Sequence, residues 1–224
     1  MAKKGNSRHL KSINAPRYFG VSKKENAYVI KQKAGRHTFE RSVPVLLFLK
    51  QINLIRNARE AKKIIKEKPL VVNGRKVVDT DYPVGINDII NINNEDYEVG
   101  INKYGKVTFT KVKGNKKIIY KIIKKYKAGK GKIFFGLHDG SVIEGSNTAK
   151  VNDSVEVGFD KKITEIIKLE KGSKCLVIDG VHTGISGVVS GIKEGDMHIS
   201  KKIIINDNKG NTFETIVKNI MVTK

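Results

Sequence analysis

Lysine and arginine dominate two stretches of this chain. Repulsion between their positive charges limits which parts of the chain can fold compactly without a partner of opposite charge. The 224 residues include 44 Lys and Arg against 22 Asp and Glu, a formal net charge of +22. Residues 1–36 carry ten basic residues and one acid, and residues 101–170 carry sixteen and seven, whereas residues 37–100 are nearly neutral. Such an excess indicates a polyanionic partner, for which RNA, DNA or an anionic membrane surface are the options.

The sequence argues against membrane, secreted and metal-binding proteins. Its longest apolar run, residues 43–49, has seven residues, whereas a membrane-spanning helix requires roughly 20. The basic N-terminus is not followed by the apolar segment of a signal peptide. The single cysteine, Cys175, excludes an internal disulfide framework and a zinc site built from several cysteines. We therefore expect a cytoplasmic protein without a membrane partner.

The N-terminal 36 residues show no clear periodicity and are too polar to pack by themselves. They could form a disordered solubilising tail or a basic arm that becomes ordered on RNA. The second interpretation is favoured because rings alternate with the positive charges, and rings can stack on unpaired bases while lysine and arginine neutralise phosphates. The rings in and beside this arm are those of His9, Tyr18, Phe19, Tyr28 and His37.

A second basic run, residues 111–132, contains ten lysines and no acid. Its isoleucines, between Ile118 and Ile123, fit a short amphipathic helix or a twisted strand, and their spacing does not separate the two. Either element would place apolar side chains on one face and lysines on the other. Surface charge runs usually include acids, so their absence favours a surface that faces phosphates.

Residues 44–68 predict two helices. The first, Pro44–Ile55, begins with a proline at a favourable first helical position and has a broad apolar face. The second, Asn57–Lys68, begins with a capping residue, and Glu60 follows three positions later as in a capping box. Basic side chains fall on the side of the second helix opposite its apolar stripe.

The helices are followed by a predicted hairpin, Leu70–Val78, with an Asn73-Gly74 turn, and by a strand at Asp88–Ile92. This order of elements resembles the αL RNA-binding fold of a bacterial small-subunit ribosomal protein, pseudouridine synthases and tyrosyl-tRNA synthetases. The resemblance implies an RNA-facing surface on the helices and the hairpin edge. The alternative is a small α+β core with ordinary surface lysines. The residues that carry the resemblance are Asn57, Arg59, Ala61, Lys62, Ile64, Val72, Asn73, Gly74, Val77, Gly85 and Asp88.

The segment between residues 101 and 170 alternates short β-type runs with glycines, which predicts a small β-barrel or sandwich. His138 precedes Asp139 in this segment, a pair that could suggest general-base chemistry. A base needs a nearby nucleophile or substrate proton, and the sequence offers none, so an Asp-Gly turn is the favoured interpretation. We predict no catalytic residue.

Residues 174–189 contain Gly180, Gly184 and Gly187 between two β-type runs. Their spacing fits neither a dinucleotide fingerprint nor a phosphate-binding loop. Cys175 is expected in the core of a strand, and His182, which has no second ligand in register, is expected near an exposed turn without a metal. The spacing resembles the KOW motif, which implies an SH3-like barrel and association with RNA or the ribosome.

Taken from end to end, the chain resembles the archaeal and eukaryotic "e" type of small-subunit ribosomal protein four. The stretches that carry the resemblance are RHLKSINAP, GRHTFERSVPVLLFL, VVNGRKVVDTDYPVGINDIINI, LHDG, KVNDSVEV and NTFETIVKNIMVTK. Because the chain ends soon after the KOW segment and lacks the basic tail of eukaryotic members, the archaeal form is expected.

We therefore predict an α+β multi-domain protein with an αL RNA-binding unit, a central small β-barrel-like domain and a C-terminal SH3-like KOW barrel. The predicted boundaries are 1–40 for the basic N-terminal extension, 41–98 for the αL domain, 99–170 for the central domain and 171–224 for the KOW domain. The family resemblance implies a non-catalytic structural constituent of the small ribosomal subunit, located on the cytoplasmic ribosome.

The implied partners are small-subunit rRNA and neighbouring small-subunit ribosomal proteins, with no cofactor and no small-molecule substrate. The alternatives are an RNA-modifying enzyme and a transcription or translation factor with αL and KOW modules. The predicted RNA-binding side chains are Lys3, Lys4, Arg8, His9, Lys11, Arg17, Arg36, His37, Arg41, Arg56, Arg59, Lys62, Lys63, Arg75, Lys76, Lys116, Lys117, Lys124, Lys125, Lys127 and Lys130.

Overall fold

The structure, a computed structural model, divides the chain into two compact units. It describes residues 7, 9–114, 117–196, 200–207 and 210–224. The first unit contains the described residues up to Gly100 together with Lys106–Lys113. The second contains Ile101–Gly105 and the described residues from Gly114 to Lys224.

The first unit mixes two helices with short strands and three single-turn 3₁₀ helices. The α-helices are α1, Val45–Gln51, and α2, Ala58–Glu67. The 3₁₀ turns are Ser12–Asn14, Arg17–Phe19 and Phe39–Arg41. The strands are β1 Leu10–Lys11, β2 Tyr28–Val29, β3 Ser42–Pro44, β4 Leu70–Val72, β5 Arg75–Val77, β6 Pro83–Gly85, β7 Ile89–Ile92, β8 Glu95–Ile101 and β9 Val107–Val112.

The main sheet of the first unit has the strand order β5-β4-β7-β8-β9, which leaves β5 at an edge. Strand β1 pairs with β2 and β3 pairs with β6, both antiparallel. Fully buried apolar side chains from α1, α2 and the sheet form the core, among them Phe48, Leu49, Ile65, Leu70 and Ile90.

The first predicted helix, Pro44–Ile55, is shorter than expected at both ends. Pro44 belongs to β3, where it pairs with Pro83, so the helix begins one residue later. At the other end, Asn53 adopts a left-handed conformation with φ 57, which stops an α-helix. The second helix and the Asn73-Gly74 hairpin are confirmed, because α2 follows Asn57 and β4 pairs with β5 in register across the turn.

The N-terminal arm, predicted to be too polar to pack by itself, packs against the rest of the first unit. Phe19 is 0% exposed, and Tyr18 and Leu10 are buried. Burial raises the pKa of the Tyr18 hydroxyl, and the charge of Asp88 adds to that effect. Pairing of β1 with β2 closes the arm on itself. Tyr18 and Phe19 therefore act as core residues and have no ring face left for a base.

The second unit consists of two antiparallel five-stranded sheets with the orders β12-β11-β10-β13-β14 and β18-β17-β16-β15-β19. Its strands are β10 Lys117–Lys127, β11 Ile133–Leu137, β12 Val142–Gly145, β13 Ser154–Gly158, β14 Ile163–Ile167, β15 Lys174–Val177, β16 Ser186–Lys193, β17 Lys202–Asp207, β18 Thr212–Ile216 and β19 Ile220–Val222. Single 3₁₀ turns occur at Gly129–Gly131 and Val217–Asn219. The part of the basic run that contains its isoleucines, Lys117–Lys127, is thus a strand, because Ile118, Tyr120 and Ile122 alternate into the core.

Residues 174–189 form β15, a loop and the start of β16. Gly180 and Gly184 have φ values of 95 and 79, which glycine alone adopts readily. A Cβ at Gly184 would collide with the Asn102 carbonyl, and one at Gly187 with the Asn206 carbonyl. Cys175 lies opposite Gly187 in the core of this sheet, and burial raises the pKa of its thiol to about 11. Gly180 and Gly184 thus lie in the loop between the two strands, whereas Gly187 lies within β16, and the predicted core position of Cys175 is confirmed.

Candidate nucleic-acid interface

A stripe of basic side chains runs along the exposed face of α2. Ala61 and Ile65 are buried on the opposite face, and the stripe follows from spacings of three and four residues. No acid in the described part of the chain forms an ion pair with a member of the stripe. The α2 stripe consists of Arg59, Lys62, Lys63 and Lys66, all exposed. Lys66 is missing from the predicted set, although its spacing from Lys62 and Lys63 gives its position.

The start of α2 is fixed by its predicted capping box. The Glu60 carboxylate accepts hydrogen bonds from the backbone N–H groups of Arg56 and Asn57, at 2.8 and 3.3 Å. These two bonds lower the pKa of Glu60, so the carboxylate stays ionised at the positive end of the helix dipole. The cap thereby holds the first turn, and with it Arg59, in one position.

The hairpin edge presents a second basic pair. Arg75 and Lys76 are exposed on β5, the edge strand that follows the Asn73-Gly74 turn. Asn73 has φ 49, and its side chain accepts a hydrogen bond from the Ile89 N–H and donates one to Asp88, at 2.8 and 2.7 Å. The motif residue Asn73 therefore anchors the turn to β7.

His37, predicted to contact RNA, lies in the interior instead. It is 8% exposed, and its Nε2 is 2.8 Å from Asp88 Oδ2. The same carboxylate oxygen accepts a bond from the Gly85 N–H at 2.8 Å, and a Cβ at Gly85 would collide with the His37 ring. The Gly85 and Asp88 motif positions thus serve a buried ion pair, and we withdraw His37 from the candidate interface.

This buried pair predicts a specific pH dependence of stability. Burial alone would raise the pKa of Asp88, but the charge of His37, with hydrogen bonds from His37, Gly85 and Asn73, outweighs it and lowers the pKa. Because the pKa of Asp88 is lower in the folded protein, the ionised carboxylate stabilises the fold at pH values above its unfolded pKa of about 3.9. This stabilisation is lost as the pH falls through the folded pKa. Between about pH 5 and 3, the free energy of unfolding of wild type should fall more steeply with decreasing pH than that of Asp88→Asn. The two slopes should differ by at most about 1.4 kcal/mol per pH unit.

Urea unfolding at a series of pH values measures this difference. Carboxylates away from this site titrate equally in both proteins, so the difference between the two curves reports Asp88 together with its partner His37. Parallel curves would show that the Asp88 carboxylate contributes no net stability to the fold.

The lysines of β10 divide into exposed and structural groups. Lys117, Lys124 and Lys127 are exposed. Lys125 is half-buried, and its Nζ donates to the carbonyls of Asn147 and Ala149 at 2.9 and 2.8 Å. Its ammonium is therefore engaged with a loop, which makes Lys125 a weaker candidate for a phosphate than its neighbours.

Lys121, from the same run, is buried. It is 4% exposed, and its Nζ donates to the carbonyls of Val217, Lys218 and Ile220 at 2.7, 3.0 and 2.6 Å. All of these groups belong to the second unit. A lysine in a basic run can thus hold together two strands of one unit, a role for which the sequence gives no signal.

The other predicted side chains are mostly on the surface. His9, Lys11, Arg17, Arg41 and Arg56 are exposed, and Arg36 is half-buried. The His9 ring packs edge-on against exposed Tyr28, with centroids 5.4 Å apart. Lys3, Lys4, Arg8 and Lys116 lie outside the described residues, as does the side chain of Lys130.

His138, Asp139 and His182 show no catalytic arrangement. Asp139 is buried, and its Oδ1 accepts from the backbone and hydroxyl of Ser141, which confirms the turn interpretation. The His182 ring is half-buried because it stacks on Phe213, at 4.2 Å between centroids, so it is less exposed than predicted. Among the described residues, no three His, Cys, Asp or Glu side chains are grouped to hold a metal, and no helix has the length and apolarity to span a membrane.

Two protein-family models match the chain. One, described as RS4NT (NUC023) domain, matches residues 4–40, and the other, described as Ribosomal family S4e, matches residues 93–164. Small ribosomal subunit protein eS4 of Methanococcus aeolicus is 31% identical over 96% of this chain and 93% of its own length. The eS4 protein of Methanocella arvoryzae is 34% identical, with the same coverage of 96% and 93%.

A solved structure is similar in fold as well as in sequence. The crystal structure of the 30S ribosomal protein S4e from Thermoplasma acidophilum has a TM-score of 0.70 and 28% identity, covering 81% of this chain and 94% of that one. The two-unit fold and these matches define the class: the chain is a member of a ribosomal protein family. It belongs to the small ribosomal subunit protein eS4 family, which confirms the family predicted from the sequence.

Proposed function

We propose that the protein is a structural constituent of the small ribosomal subunit that binds small-subunit rRNA and catalyses no reaction. The α2 stripe is the observation that carries the proposal, because four basic side chains face solvent with no acid paired to them among the described residues. Lysine and arginine clustered on one helix face can neutralise the phosphates of an RNA backbone. Its partners would be rRNA and neighbouring ribosomal proteins, on ribosomes in the cytoplasm, as the names of its relatives suggest.

We also propose the finer division of the chain. Residues 41–98 would form an αL-type RNA-binding unit, supported by α1, α2, the β4–β5 hairpin and the Asn73–Asp88 contacts. Residues 99–170 would form a small barrel-like domain and residues 171–224 a KOW-type module. The glycine loop between β15 and β16 supports the KOW assignment. Residues 1–40 would be an extension that is packed on its own unit and also contacts RNA.

The proposed RNA contacts are the predicted set with three changes. His37 is removed because it is buried against Asp88, and Lys125 because its ammonium is engaged with backbone carbonyls. Lys66 is added because it completes the α2 stripe. The contacts proposed on described residues are His9, Lys11, Arg17, Arg36, Arg41, Arg56, Arg59, Lys62, Lys63, Lys66, Arg75, Lys76, Lys117, Lys124 and Lys127. Lys3, Lys4, Arg8, Lys116 and Lys130 remain proposed from the sequence.

The salt dependence of RNA binding tests the proposal. Each phosphate that a lysine or arginine neutralises releases counterions and steepens the log–log plot of affinity against salt by about 0.7 to 0.9. With a fragment of small-subunit rRNA we expect a slope steeper than about −4, which corresponds to five or more contacts. A slope near zero would contradict a phosphate-binding function, whatever the affinity.

A further inference from the structure

The outward side of strands β10, β11 and β12 carries exposed apolar and aromatic side chains. Tyr126 is directly opposite Phe134, and Phe134 is opposite Glu144. Lys124 is opposite Gly136, and Gly136 is opposite Val142. Directly opposed residues of an antiparallel sheet point to the same face, so one surface contains all six positions. We call this surface, made of Lys124, Tyr126, Phe134, Gly136, Val142 and Glu144, the β10–β12 face.

The opposite side of the same strands is the core. Phe135 and Ile143, which alternate with the residues of the β10–β12 face, are buried. A Cβ at Gly145 would collide with the Phe135 ring, so that side is tightly packed. The β10–β12 face is therefore the solvent side of this sheet.

The exposed rings have the geometry of a stacking platform. Tyr126 is 44% exposed and Val142 is 51% exposed. The rings of Tyr126 and Phe134 are 21° from parallel, with centroids 6.0 Å apart, so a further flat ring can continue the stack on the open side of Tyr126. Gly136 contributes no side chain, which leaves the centre of the face flat.

The charge beside these rings indicates the occupant. Lys124, on the face itself, is exposed. Glu144, the acid of the face, pairs at 3.0 Å with Lys132. A face with aromatic rings and surplus positive charge fits a base on a phosphate backbone, since rings stack on bases and lysines neutralise phosphates.

We propose that the β10–β12 face binds an unpaired RNA nucleotide, with its base stacked on Tyr126 and a phosphate beside Lys124. The inference rests on the proposed function and specifies that this surface recognises single-stranded RNA. A paired base in an A-form helix does not expose its ring face, so the face should discriminate against duplex RNA.

Binding of two RNA probes tests the inference. The first probe is a single-stranded RNA of about 12 nucleotides, and the second is the same strand annealed to its complement. Tyr126→Ala in the full chain should lower the affinity for the single strand about 5- to 150-fold, the range for the loss of one stacked base, and change duplex affinity less than about twofold. Tyr126→Phe keeps the ring and should bind like wild type. Tyr104→Ala is the matched control, because Tyr104 is 58% exposed in the same unit but outside the β10–β12 face.

A spectroscopic readout distinguishes stacking from a general loss of binding. The chain contains no tryptophan, so Tyr126→Trp introduces a single reporter. Its fluorescence should be quenched as single-stranded RNA is added, in parallel with binding, whereas Tyr104→Trp should show no quenching.

The outcomes separate this inference from the proposed function. Binding of a small-subunit rRNA fragment with no loss of single-strand affinity in Tyr126→Ala would overturn the stacking face and leave the proposed function standing. An equal loss of affinity for both probes in Tyr126→Ala would also overturn it. The same holds if this variant loses affinity for a ribosomal protein partner but binds RNA like wild type. Failure of wild type to bind any RNA would instead overturn the proposed function and the stacking face together.

Discussion

Replacement of Lys121 by methionine is expected to lower the free energy of unfolding of the second unit by about 3 kcal/mol. The Nζ of this buried lysine donates to three backbone carbonyls between Val217 and Ile220. Hydrogen bonds from a charged donor contribute about 1.5 to 3 kcal/mol each, and part of this is offset because the buried ammonium no longer has to lose its hydration. Methionine has a similar length and fills the space, so the loss of stability measures the contribution of the ammonium group.

Urea unfolding, followed by circular dichroism, measures this effect. The matched control is Lys124→Met, which removes the same charge from an exposed position on the same strand and should change stability by less than about 0.5 kcal/mol. If Lys121→Met is as stable as Lys124→Met, the three carbonyl contacts do not stabilise the unit.

Neutralisation of three of the four basic residues of the α2 stripe is expected to cause the largest loss of RNA affinity. In the triple variant Arg59→Gln, Lys62→Gln and Lys63→Gln, three phosphate contacts are removed. Since each contact contributes a log–log slope of about 0.7 to 0.9, affinity at 0.1 M salt should fall about 100- to 500-fold, and the slope should become shallower by about 2 to 3. Glutamine is a good helix former, so α2 should remain folded.

Filter binding or fluorescence anisotropy with a small-subunit rRNA fragment measures both quantities. The matched control replaces Lys161, Lys162 and Lys168 by glutamine, because these exposed lysines lie outside the proposed interface and carry the same total charge. Equal losses in the two triple variants would mean that net charge, rather than the α2 stripe, governs binding.

Local signals in the sequence predicted the elements that depend on local chemistry. Asn57 and Glu60 placed the start of α2, and Asn73-Gly74 placed the β4–β5 turn, because caps and tight turns need particular residues at particular positions. The basic stripe followed from the same helical periodicity. These predictions succeed because each involves neighbours within a few residues.

Contacts between residues distant in the sequence could not be predicted in this way. His37 has the kind of polar side chain that binds RNA, yet it lies in the core. There it contacts Asp88, which follows 51 residues later in the sequence. Lys121 lies in a run of lysines that all look alike, and the carbonyls that bind it are nearly 100 residues away. The sequence predicts an RNA-ordered arm for Tyr18 and Phe19, since the core that buries them is formed by segments that follow much later.

Co-sedimentation with ribosomal subunits tests the central claim most directly. In a gradient of high magnesium and low salt, the protein should sediment with the small subunit and be absent from the large-subunit fraction. High salt should strip it from the small subunit, because phosphate contacts weaken as counterions compete. A protein found only in the free soluble fractions at low salt would contradict the assignment to the small subunit.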